Sequence, residues 1–175
     1  MRVTFGQLFF SLFDLRSFSS IWYWITLGTL WTALAHWVMG VPIDTVWRAR
    51  RGDGQAIADM EDGVRITVNR LAPWGGTAGT VALAFGCALL SALAVLGFYG
   101  RVELAQALFL MLVPLLPISL MRMALAARIR AEGLSGAALV KRLMRQATAL
   151  QVMGFVAILV TGSWGTVQNL LSRPF

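Results

Sequence analysis

Long apolar runs alternate with shorter polar ones along this chain. Ile21 to Val41 holds no ionised side chain. As a helix it would reach about 31 Å, the thickness of a bilayer's hydrocarbon core. Its Trp- and Tyr-rich start (Trp22, Tyr23, Trp24) suits an interfacial belt. Three more apolar runs follow, Thr77 to Tyr99, Leu104 to Met121 and Ala147 to Gln168. The pattern predicts an all-α integral membrane protein, one membrane domain over 1–175, with four transmembrane helices at 21–41, 77–99, 104–121 and 147–168.

The intervening segments also carry periodicity. In 1–19 the polar residues Thr4, Gln7, Ser11, Asp14 and Ser17 recur at three- and four-residue steps opposite a Phe- and Leu-rich face, which predicts an amphipathic amino-terminal helix lying in the interface. Asp14 and Arg16 interrupt its apolar core, so it is read as retained rather than as a cleaved signal peptide. The loop 42–76 predicts two short amphipathic helices on the membrane surface. Gly52 and Gly54 break the chain there, and Ile57, Met60, Val64, Val68 and Leu71 form a stripe that ends at Pro73. Glu61 and Arg65 stand one turn apart, at pairing distance. The segment 122–146 is basic and helical in pattern, broken at Gly133, with Ser135 as a candidate N-cap, and 169–175 is a short tail.

Charge gives the predicted topology its direction. Five arginines (Arg48, Arg50, Arg51, Arg65, Arg70) lie in the first loop and six basic residues (Arg122, Arg128, Arg130, Lys141, Arg142, Arg145) in the segment 122–146. The other regions hold only Arg2, Arg16, Arg101 and Arg173. By the positive-inside rule both loops are cytoplasmic and both termini periplasmic, in a bacterial inner membrane. The net charge of +7 is therefore topological, and nucleic acid is not an expected partner. The six basic residues of 122–146 are expected to contact anionic lipid headgroups or an acidic partner surface. With 58% hydrophobic and 13% charged residues the chain is far from a soluble composition. The single cysteine, Cys87, excludes an internal disulfide.

Candidate chemistry is sparse. No predicted span contains Asp, Glu, Lys or Arg, which weighs against ion-coupled transport. Phosphate-binding, HExxH and GxSxG motifs are missing from the sequence, so no enzymatic activity and no cofactor are expected. His36 either contacts a cofactor such as haem or serves as an interfacial, helix-bonding histidine. Asp59 and Asp62 share a helical face and form either a cation site or an arginine-paired, solvated face. Pro114 and Pro117 predict a kink that frees the carbonyls of Leu110 and Val113, with Gln106 and Ser119 nearby as pocket lining or kink repair. Ala78, Ala82 and Gly86, the parallel row Ala84, Ala88 and Ala92, and Gly154, Gly162 and Gly165 are candidate close-packing positions.

The stretches FDLRSFSSIWYW (Phe13 to Trp24), HWVMGVP (His36 to Pro42), RARR (Arg48 to Arg51) and VRITVNRL (Val64 to Leu71) resemble a family of small alphaproteobacterial multi-pass membrane proteins, often described as a component of the SufBCD complex. The resemblance implies a multi-pass fold and inner-membrane residence. It assigns no chemical role to any residue, and the iron–sulfur description is not carried over, since the lone cysteine falls in a span. The expected function is a non-catalytic accessory, scaffold or assembly subunit of a larger inner-membrane complex, with membrane lipids and other membrane subunits as partners. The alternatives are a small carrier or channel component for a neutral or lipidic solute, and a haem- or pigment-contacting subunit through His36.

Overall fold

The structure is a computed structural model that describes Phe18 and residues 20–171. The expected interfacial helix at 1–19 and the end of the tail lie outside the described residues. The described chain is mostly helical: α1 (Ile21–His36), α2 (Ile43–Arg50), α3 (Gly54–Leu71), a 3-10 turn (Ala72–Gly75), α4 (Thr77–Ala94) continued by a π turn (Val95–Tyr99), α5 (Glu103–Leu112), α6 (Leu115–Glu132) and α7 (Gly136–Leu171). Two-residue strands β1 (Trp37–Val38) and β2 (Val41–Pro42) separate α1 from α2.

Among these, three helical segments are long and apolar enough to cross a membrane: Thr77–Tyr99, Glu103–Glu132 and Gly136–Gln168. The helix expected over 21–41 is shorter than expected. Helix α1 stops at His36 after 16 residues, about 24 Å, instead of running on to Val41. Pro42 has no N–H to give a helix and disfavours helical backbone at Val41, and Met39 and Gly40 take left-handed conformations (φ 50° and 78°). The result is a tight antiparallel hairpin pairing Trp37 with Pro42 and Val38 with Val41. Val38, Met39 and Val41 are fully buried, so these apolar residues end the apolar run for the sake of a protein core. Gly40 is held there twice over, because a Cβ on it would collide with the Thr67 side chain.

That core lies in a polar-faced cap at one end of the bundle. Met60, Val64 and Val68 of α3 pack with Val46 and Ala49 of α2, Leu125 and Ile129 of α6, and Leu139 and Leu143 of α7. The stripe read from 42–76 is therefore present, but it faces the protein; expectation had laid it on the membrane surface. Asp53 caps α3, its carboxylate accepting from the N–H groups of Gln55 (3.1 Å) and Ala56 (3.2 Å). Glu61 does not pair with Arg65 as expected. Its carboxylate accepts the N–H of Gly136 at 2.6 Å, at the start of α7, where four backbone donors would otherwise be orphaned. Arg65 turns to Asp62 instead, at 2.9 Å on the exposed surface.

The basic segment has no boundary with the spans. Helix α6 runs from Leu115 through the apolar region to Glu132, Gly133 ends it in a left-handed conformation, and α7 carries the chain back across in 36 residues, about 54 Å. The kink expected at the two prolines is a helix break at Pro114 alone, which sits at the N-cap of α6 after the end of α5. Pro117 falls in the first turn of α6, where its missing N–H removes no helical bond.

Candidate functional site

Two regions of the bundle concentrate polar groups or open space. At the end away from the cap, Gln106 of α5 is buried and makes three hydrogen bonds. Its amide donates to the carbonyl of Gly97 in the π turn (2.8 Å), and its carbonyl oxygen accepts from Trp164 Nε1 (2.9 Å) and Gln168 Nε2 (3.0 Å), both on α7. Gly97 makes this approach feasible, since a Cβ there would lie 2.9 Å from the Gln106 backbone nitrogen. Phe98 stacks edge-on with Phe109 and Trp164 around the same point. These three bonds make Gln106 a clamp joining three elements.

Toward the cap, α4 packs on α5 and approaches side chains of α6, leaving a lateral groove of about 600 Å³. Gly79 lies opposite Met123 and Gly86 opposite Leu116, so the two walls run antiparallel in register. Leucines of α4 (Leu83, Leu90) and of α5 and α6 (Leu112, Leu116) line most of its length, while Trp74, Thr80, Ser119 and Arg122 gather at the cap end. Arg122 is half-buried, and its Nε has no hydrogen-bond partner.

The expected site residues distribute as follows. His36 is exposed at the end of α1, edge-on to Trp37 at 5.9 Å between ring centroids. Asp59 accepts from Gln55 and Asp62 pairs with Arg65, and among the described residues no group of three His, Cys, Asp or Glu is close enough to hold a metal. Gln106 and Ser119 do not share a pocket: Ser119 bonds back to the carbonyl of Leu115 and lines the groove. Arg128, Arg130, Lys141 and Arg145 are exposed on the cap halves of α6 and α7, and Arg142 is half-buried. Gly154 and Gly165 meet Trp31 and Phe18, whereas Gly162 faces open space. Ala78 and Ala82 are exposed, and Gly86 contacts Leu116.

Sequence reasoning missed Gly97, Trp164 and Gln168 as partners of Gln106. The available signal was a Gln near the same end of each of two apolar runs, because a buried amide must find partners. Helix α4 stands out last: among the described residues it buries none, and its Ala84, Ala88 and Ala92 row points away from the groove. The chain matches no protein-family model, no curated protein and no solved structure.

Proposed function

We propose that the protein is a non-catalytic accessory or scaffold subunit of a larger bacterial inner-membrane complex, and that α4 is the helix that meets its partner. The observation that carries this reading is the exposure of α4, a span-length helix with no buried residue, whose Ala84, Ala88 and Ala92 face is left uncovered by the described residues. Lipid supplies no hydrophobic drive for helices to associate, so a span gains partners through close packing, and small residues permit it. In this reading α1 is a fourth span, the cap is cytoplasmic by the charges on α2, α3, α6 and α7, and the termini are periplasmic.

Extraction from native membranes in a mild detergent tests the proposal. A defined complex in which this chain co-purifies with another membrane polypeptide is expected, and Ala88→Phe should release it. A monomer with no co-purifying protein contradicts it. The groove favours a second reading, a carrier component for a lipidic solute, since it passes the helix break at Pro114. Flux in proteoliposomes that responds to Pro114 substitution would support that reading.

A further inference from the structure

We propose that the groove between α4 and α6 is a built site for one glycerophospholipid, with the phosphate on Arg122 and an acyl chain laid along Leu83, Gly86, Leu112 and Leu116. The order of chemistry along the groove matches that of a lipid: a cationic and hydroxylic end near the cap, then leucines with Ala82 and Gly86. Its length matches too. From Arg122 back to Leu112 is ten residues, about 15 Å at a helical rise across the Pro114 break, which is half the hydrocarbon thickness and thus the depth of one leaflet. Trp74 at the mouth is the side chain expected at headgroup level.

The charge at the head of the groove calls for an anion. No carboxylate lines it, and the ion pairs among the described residues engage Arg48 and Arg65, leaving Arg122 out. A guanidinium with a buried, unbonded Nε is costly, and its planar fork matches two oxygens of a phosphate. A free phosphate would satisfy the arginine and leave the leucine-lined length empty, whereas a phospholipid fills both parts. The site does not depend on α4 having a protein partner, because the Ala84, Ala88 and Ala92 row lies on the opposite side of that helix.

The test uses the full-length protein stripped of lipid in a neutral detergent. Native mass spectrometry then follows titration with phosphatidylglycerol, with diacylglycerol of the same chains, and with inorganic phosphate. One phosphatidylglycerol per chain is expected, held at least about tenfold more tightly than diacylglycerol, and inorganic phosphate should not displace it. Arg122→Gln should weaken retention about tenfold or more, whereas Arg128→Gln, on the exposed side of the same helix, should leave it unchanged. Leu83→Trp fills the groove from an exposed position and should weaken phosphatidylglycerol and diacylglycerol alike, which keeps the proposal testable if Arg122→Gln does not fold. Equal retention of the two lipids, indifference to both Arg122→Gln and Leu83→Trp, or displacement by inorganic phosphate overturns it.

Discussion

Gly154 of α7 lies flat against the indole of Trp31 in α1, so close that a Cβ built on it would stand 2.9 Å from Trp31 Cε3. Trp31 is itself buried, with no slack to retreat into. Gly154→Ala should therefore cost about 1–3 kcal/mol through overpacking. Gly162→Ala on the same helix meets open space and should be neutral or slightly stabilising. Thermal unfolding of both variants in detergent separates them.

Glu61 ties α3 to α7 through one hydrogen bond to Gly136. Glu61→Ala removes both an acceptor for an orphan donor and a negative charge at a helix N-terminus, with an expected loss of about 0.5–2 kcal/mol. Asp62→Ala breaks only an exposed pair with Arg65 and should change stability by less than about 0.5 kcal/mol. Hydrogen exchange at the start of α7 should rise in the first variant and not in the second.

Gln106→Leu keeps the volume of the clamp but leaves the Gly97 carbonyl and the Trp164 N–H unpaired inside it. The expected cost is about 1–3 kcal/mol. Intact unfolding temperature and unchanged Trp164 fluorescence in this variant would show that the clamp contributes nothing.

These three contacts show where the sequence was legible and where it was not. Length and polarity were enough for the three span-length helices, for the Gly133 break and for the stripe Met60, Val64 and Val68. They could not say what a stripe faces, because burial in lipid and burial in protein select the same residues. Val38, Met39 and Val41 were counted into a span for that reason, and only Gly40 and Pro42 marked the hairpin. Glu61 had Arg65 within reach of a sequence argument, but its real partner lies 75 residues away. The groove was invisible for the same reason: Gly79, Leu83, Arg122 and Leu116 come to line one groove only when the chain folds.

The two prolines of the third span should behave differently. Pro114→Ala restores a donor between α5 and α6 and is expected to straighten them into one helix, while Pro117→Ala changes little. Spin labels at Leu104 and Ala131, both exposed, report the end-to-end distance. It should lengthen in the first variant only.

A photo-crosslinker on the outer face of α4 tests directly whether that helix meets another protein in the membrane. With Cys87 changed to Ser, the variant Ala88→Cys carries a maleimide-linked benzophenone, and Ile158→Cys, exposed on α7, serves as the comparison. Irradiation in native membranes should join the Ala88→Cys label to a second membrane polypeptide and the Ile158→Cys label to lipid. Capture of lipid alone from both positions would contradict the account.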